Sequence, residues 1–225
     1  MLARSIRLFL ALLSSAGLAA AQEPNPNAKR LACIGDSITQ GSGADPGQSY
    51  PSQLQALLGD KWHVGNFGVS GRTLLKKGDF PYWNEKAYQN ALQSKPDVVV
   101  IMLGTNDTKP QNWKFEAEFV PDYTALVKSF QELESKPKIF ICRPCPVPEP
   151  GNYGINETNV KEEIKRLNKL AGDLKVGVID MHAALEKKPE LLPDRVHPNT
   201  AGAGEMAKTA YKAVTGRSAP AAAKK

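Results

Sequence analysis

Apolar and polar positions follow two rhythms along this chain, and the rhythms take turns. Leu31-Ala32-Cys33-Ile34 is an unbroken apolar run that stops at Gly35, and Val98-Val99-Val100-Ile101-Met102-Leu103 is a longer one that stops at Gly104. Runs of this kind read as strands covered on both faces, as in a parallel sheet. The first strand is read from Arg30 to Ile34, and others at Trp62–Phe67, Lys138–Cys142 and Val176–Asp180. Between them the apolar spacing lengthens to the helical period. Leu54, Leu57 and Leu58 form one such face, in a helix that starts near Ser49 or Tyr50, admits Pro51 in its first turn and stops at Gly59. Ala87, Tyr88, Ala91 and Leu92 form the next, within Asn84–Leu92, and Tyr123, Leu126, Val127 and Phe130 the third, within Pro121–Leu133. Val160, Ile164, Leu167, Leu170 and Ala171 mark a fourth helix, and a fifth runs from Thr200 to Val214. Strand followed by helix, five times over, predicts an α/β fold: a parallel sheet with right-handed crossovers and helices on both faces.

The two ends of the chain lie outside this alternation. Met1–Ala21 places Arg4 and Arg7 ahead of the apolar run Leu8-Phe9-Leu10-Ala11-Leu12-Leu13, then the small residues Ala19, Ala20 and Ala21. Basic, apolar, small is the order of a secretory signal peptide, with cleavage expected near Ala21-Gln22. The apolar run is too short to span a bilayer, so no stable membrane insertion is expected after cleavage. The expected location is secreted or periplasmic. Residues 22–29 read as a linker, residues 30–215 as one domain, and residues 216–225 as a disordered tail.

Composition narrows the function classes. The formal net charge of +6 is partly carried by the leader, and the remaining lysines are scattered, which argues against nucleic-acid binding. Gly41-x-Gly43 is not followed by the rest of a dinucleotide or phosphate-loop motif. Three cysteines in an oxidising compartment leave at least one unpaired. Cys142-x-x-Cys145 is either a local disulfide or two small residues at a strand end and a proline-rich turn. The second reading is favoured, because neither a thioredoxin-like setting nor a second pair for zinc accompanies it. Cys33 reads as a core residue. No metal or other cofactor is expected.

Chemistry-bearing residues cluster where strands end, the edge at which ligands bind in open α/β sheets. Ser37 follows strand one, and is either a nucleophile or a helix cap. An activated serine needs a base, and the chain has three histidines. His63 falls within strand two and His182 follows strand five, whereas His197 shares a turn with Asp194, three residues earlier. That spacing lets Asp194 accept from the ring Nδ1–H, so that the ring presents a basic Nε2. The serine also needs donors for the charge that develops on an attacked carbonyl. Gly68, at the end of strand two, offers an N–H with no side chain in the way; Asn106, after strand three, offers an amide; the Ser37 N–H is a third candidate. Asp180 is a rival acid at a strand end, expected to be structural.

Gly35-Asp36-Ser37, Gly68 within Asn66-x-Gly-x-Ser70-Gly71, Gly104-x-Asn106-Asp107 and Asp194-x-x-His197 together resemble, in order and spacing, the four blocks of the SGNH (GDSL-type) hydrolase family. The resemblance implies a flavodoxin-like, three-layer α/β/α sandwich with strand order 2-1-3-4-5, and ester hydrolysis without a metal. It implies Ser37 as nucleophile, His197 as base and Asp194 as its orienter. Oxyanion donors would be the Ser37 and Gly68 N–H groups and the Asn106 side chain.

The loop after block two carries Arg72, Lys76, Lys77, Asp79, Phe80, Tyr82 and Trp83. Aromatics beside cations form either a sugar-binding wall or an apolar plug for the loop; Arg72, Tyr82 and Trp83 are the candidates for substrate binding. Ser70–Leu74 and Gly78–Trp83 resemble the sialate O-acetylesterase-like and other carbohydrate-esterase branches. With no long apolar lid for an acyl chain, the expected reaction removes acetyl groups from a glycan. The alternatives are a lysophospholipase or thioesterase of the same family, and a catalytically silent glycan-binding protein on the same fold.

Overall fold

The computed structural model describes residue 25 and residues 27–220. The expected signal peptide, most of the linker and residues 221–225 of the expected tail lie outside the described residues. Five parallel strands, β1 (Lys29–Gly35), β2 (Trp62–Gly68), β3 (Val98–Met102), β4 (Lys138–Arg143) and β5 (Gly177–Asp180), form one sheet in the order β2-β1-β3-β4-β5.

The continuous apolar runs follow from helices on both faces. Alternate side chains of one strand enter different cores, as the pleat requires. Ala32 and Ile34 of β1, with Val99 and Ile101 of β3, join a core closed by α3 (Lys86–Gln93), α5 (Phe119–Gln131) and α6 (Glu157–Leu174). Leu31 and Cys33, with Val98, Val100 and Met102, join the opposite core under α2 (Tyr50–Leu58), α7 (Met181–Leu185) and α8 (Thr200–Thr215).

Two short helices complete the fold, α1 (Ser37–Gln40) and α4 (Pro110–Trp113). With α7 they were not predicted: four or five residues carry no readable period. The other boundaries move by a few residues. The helix expected from Asn84 begins at Lys86, because Tyr82–Asn84 form a separate 3₁₀ turn. That expected from Pro121 begins two residues earlier, at Phe119.

The three cysteines are buried and free, Cys145 Sγ lying 3.7 Å from Met206 Sδ, so Cys142 in β4 and Cys145 just after it pack rather than bond.

Candidate active site

The site is built at the carboxyl ends of β1, β2 and β3, where the strand order reverses between β1 and β3. Strand β1 turns sharply into α1 at Gly35, where a Cβ would stand 1.9 Å from Thr39 Oγ1 and 2.8 Å from the Met102 carbonyl. Asp36 caps the helix, its Oδ1 accepting from the Ile38 N–H at 2.9 Å. Ser37 therefore occupies the first helical position, with its N–H outside the helical ladder.

Ser37 Oγ lies 2.9 Å from His197 Nε2, across 160 residues of sequence. His197 Nδ1 lies 2.7 Å from Asp194 Oδ2. The other oxygen, Asp194 Oδ1, accepts from the backbone N–H groups of Val196 (2.9 Å) and His197 (2.7 Å). Burial pushes the Asp194 pKa up, but these bonds and the His197 ring outweigh it and hold the carboxyl below its ordinary value. The turn places Arg195 at φ 71°, a left-handed conformation rare for an arginine and typical of strain held at sites. Neither Asp194 nor His197 caps α8: Asn199 does, accepting from the Gly202 N–H at 3.0 Å.

Asn106 lies in a 3₁₀ turn after β3. Its amide donates to Asp36 Oδ2 and to the Arg72 carbonyl, both at 3.2 Å, which fixes it beside Ser37. Burial raises Asp36 to about 6, against the pull of the Ile38 N–H, His197 and Lys109. Asp107, its neighbour in sequence, points the other way and accepts the N–H groups of Leu74 (2.9 Å) and Leu75 (2.7 Å); burial raises it to about 7. A cleft of about 290 Å³ opens over these groups, lined by Ser37, Ser70, Gly71, Asn106, Lys109 and His197 and, on one wall, by Tyr153, Ile155 and Val196.

Three expectations need correction. The Gly68 N–H is taken by Asn66 Oδ1 at 3.0 Å, so it is not free for an oxyanion. Gly68 is small for another reason: a Cβ would lie 2.3 Å from the Gln40 nitrogen and 2.9 Å from the Asp36 carbonyl, so its absence lets α1 pack on the end of β2. Gly71 lines the cleft instead, and its N–H has no acceptor among the described residues. Second, Tyr82 has no exposed surface and donates to the Phe67 carbonyl at 2.6 Å. Trp83 donates to the Leu74 carbonyl at 2.7 Å and packs edge-on against Tyr88. These two are the apolar plug of the loop, not a wall for substrate. Third, the Arg72 guanidinium is occupied by Glu85 and the Ser70 carbonyl, both at 2.8 Å, and does not line the cleft.

The remaining candidates fall elsewhere. His63 is exposed on β2. His182 Nε2 pairs with Glu157 Oε1 at 2.7 Å. Asp180 caps α7 by accepting from the Ala183 N–H at 2.9 Å and pairs with Arg143. Among the described residues no group of three or more His, Cys, Asp or Glu side chains is placed to hold a metal ion, and no helix is long and apolar enough to cross a membrane. Sequence reading missed Gly71 and Tyr153 as cleft residues. The available signals were a second glycine in Ser70-Gly71 and an aromatic residue within Asn152-x-Gly154.

A nucleophile-type serine at a strand end, hydrogen-bonded to an imidazole that a carboxylate orients, defines a serine-hydrolase arrangement. Residues 33–204 match the GDSL-like lipase/acylhydrolase family, and the chain belongs to that family. It is 42% identical over 212 residues to an acetylxylan esterase of Xylanibacter ruminicola, a match that covers 85% of this chain and 44% of that protein. The chain thus spans less than half the length of this curated relative. Among solved structures, a carbohydrate acetylesterase family member from Sinorhizobium meliloti superposes with a TM-score of 0.66 at 25% identity, covering 83% of this chain and 97% of that one. The aryl esterase of M. smegmatis superposes with a TM-score of 0.66 at 22% identity, covering 84% and 99%, and speaks to the fold alone.

Proposed function

We propose that this chain is a secreted serine esterase that removes acetyl groups from sugar hydroxyls through an acyl-enzyme. The observation that carries the reading is the continuous hydrogen-bond chain from Ser37 Oγ through His197 to Asp194.

His197 Nε2 takes the Ser37 proton as Oγ attacks the ester carbonyl, and Asp194 stabilises the imidazolium that forms. The carbonyl oxygen becomes an oxyanion. The Ser37 and Gly71 N–H groups and the Asn106 amide are the donors for it. Asn106 makes only long contacts at rest, so a full negative charge in the cleft competes for its N–H groups. The tetrahedral intermediate collapses, His197 protonates the departing sugar oxygen so that it leaves as the alcohol, and the acetyl group stays on Ser37 as an ester. Water then repeats the sequence with His197 as base, releasing acetate.

The substrate class rests on two supports. The curated relative is an acetylxylan esterase. The cleft of about 290 Å³ is small, at the low end for ligand sites, which suits an acetyl group better than a long acyl chain. Export rests on the Met1–Ala21 pattern alone.

Acetate release from acetylated xylan, with nitrophenyl esters of rising chain length alongside, tests this reading. The expected result is acetate release abolished by Ser37→Ala, and a chain-length optimum at acetyl. An optimum at long chains, or full activity of the Ser37→Ala variant, overturns it.

A further inference from the structure

The loop between β4 and α6 presents one residue whose placement the hydrolytic steps do not use. Asn152, Tyr153, Gly154 and Ile155 form a two-residue turn, closed by bonds from the Asn152 N–H to the Ile155 carbonyl (3.2 Å) and from the Ile155 N–H to the Asn152 carbonyl (2.8 Å). Both central residues have positive φ, 53° at Tyr153 and 78° at Gly154, the pattern of a type I′ turn. Asn, Asp and Gly take the first of those positions with least strain. Here a tyrosine holds it. Its side chain is 57% exposed, among the few large apolar side chains so exposed in the described residues.

The turn is pinned to the catalytic loop. Asn152 Nδ2 donates to the Asp194 carbonyl at 2.9 Å, and its Oδ1 accepts from the Tyr153 N–H at 2.8 Å. The Tyr153 hydroxyl donates to Asp194 Oδ2 at 3.3 Å, and the ring centroid stands 5.7 Å from that of His197, tilted by 60°. A strained, exposed aromatic is thereby held in one orientation as a wall of the cleft, next to the imidazole that must protonate the leaving alcohol.

We propose that Tyr153 is the specificity-determining platform on which the leaving sugar ring rests. A pyranose presents a face of C–H groups to an aromatic ring, and the ring offers a broad apolar surface with few rotatable bonds to order. The phenol–Asp194 bond fixes the angle of the platform. Strain at the turn is kept because the side chain that would relieve it, Asn or Gly, has no face to offer. The proposal rests on the acetyl-sugar reading, and names the group in this chain that recognises the sugar rather than the acetyl.

The test compares acetylated xylo-oligosaccharides with ethyl acetate, an acetyl ester without a ring, for the wild type and for Tyr153→Asn, Tyr153→Phe and Tyr153→Trp. Tyr153→Asn is expected to raise KM for the oligosaccharide by about five- to tenfold. Loss of the phenol–Asp194 bond should lower kcat alike on both substrates in Tyr153→Asn and Tyr153→Phe, so the platform is read from the ratio of kcat/KM on the oligosaccharide to that on ethyl acetate, which should fall about five- to tenfold in Tyr153→Asn. Its Tm should be no lower than that of the wild type, since the turn loses strain. Tyr153→Trp should keep KM for the oligosaccharide near the wild-type value, and Tyr153→Phe should fall between. An unchanged oligosaccharide KM in Tyr153→Asn overturns the platform, as does an equal loss on both substrates. A wild type with no preference for the oligosaccharide over ethyl acetate overturns the acetyl-sugar reading, and the platform with it.

Discussion

Replacing Glu163 by glutamine should flatten the pH dependence of stability while leaving the cleft intact. Glu163 lies on α6 with no exposed surface, and neither of its carboxyl oxygens has a hydrogen-bond partner among the described residues. Oε1 fills the space beside Gly104, where a Cβ would lie 1.8 Å from it. Burial first, then the neighbouring Asp107 and Asp36, hold its pKa well above the ordinary value, with Arg166 pulling the other way. The unfolded chain releases this proton near the usual glutamate value of about 4.3. Above that pH, folding takes a proton up, so stability falls as pH rises until the folded carboxyl itself ionises. The slope is at most about 1.4 kcal/mol per pH unit, over the range in which the folded carboxyl stays protonated and the unfolded one does not. Asp36 and Asp107, raised by burial to about 6 and about 7, slope the same way, whereas Asp194, Glu157 and Glu205, with lowered values, slope the opposite way at lower pH. These contributions largely cancel in the difference between the wild type and Glu163→Gln. Urea unfolding followed by tryptophan fluorescence at three pH values measures that difference. The variant should gain on the wild type as pH rises above the ordinary glutamate range, by up to about 1.4 kcal/mol per pH unit. Parallel curves would refute the neutral, unpaired carboxyl.

Asn106→Ala should lower kcat on nitrophenyl acetate by roughly 10²–10³, with KM little changed, since the amide acts on charge that develops after binding; an unchanged kcat would remove Asn106 from the oxyanion site. Gly68→Ala should cost about 1–3 kcal/mol in urea unfolding, because its Cβ meets backbone rather than movable side chains, and kcat should fall with it as α1 shifts. A neutral Gly68→Ala would show that α1 does not depend on the close approach. Burial raises Cys33 to about 12 and lifts Cys142 and Cys145 well above their ordinary value. The folded protein should therefore resist a thiol-reactive disulfide reagent and keep its Tm in dithiothreitol; a Tm lowered by reductant would reveal a Cys142–Cys145 bond.

The fold was legible because its two central strands are buried on both faces. Nothing but an apolar residue fits at Ala32–Ile34 or Val98–Met102, so those runs could be read without knowing their neighbours. Strand β5 was harder: Val178 is exposed on an edge, and only Ile179 of its residues is fully buried. The Asp194–His197 pairing was legible because the two residues bond within one turn, a local event with a local spacing. Gly68 and Gly71 were not separable in the same way. Gly68 ends β2 and Gly71 comes three residues later, and what distinguishes them is non-local: a Cβ on Gly68 would meet the backbone of α1, whereas one on Gly71 would meet no atom within 4 Å. Tyr82 and Trp83 misled for a related reason. The sequence shows aromatics in a polar loop, but not that Asp107, across 32 residues, draws Leu75 inward and the loop with it.

That last contact is one of a set, and the set accounts for how loops this irregular hold a site still. Asp107 binds the N–H groups of Leu74 and Leu75, Asp122 that of Lys76, Glu157 that of Val147, and Asp194 those of Val196 and His197. Each carboxylate replaces the ladder partner that a loop backbone lacks, and charged acceptors make the stronger bonds. The cleft walls are thus fastened largely by side chains rather than by sheet: the Gly71–Leu75 segment by Asp107, the Tyr153 turn by Asn152 and Asp194, and the His197 turn by Asp194 and Asn152. The cost is acid groups brought into a low-dielectric region beside one another, which is why Asp36, Asp107 and Glu163 are all driven toward the neutral form. Rigidity of the site and pH sensitivity of the fold then share one origin. Glu163 is the member of that cluster that fastens nothing, so its removal should relieve the cost and spare the geometry.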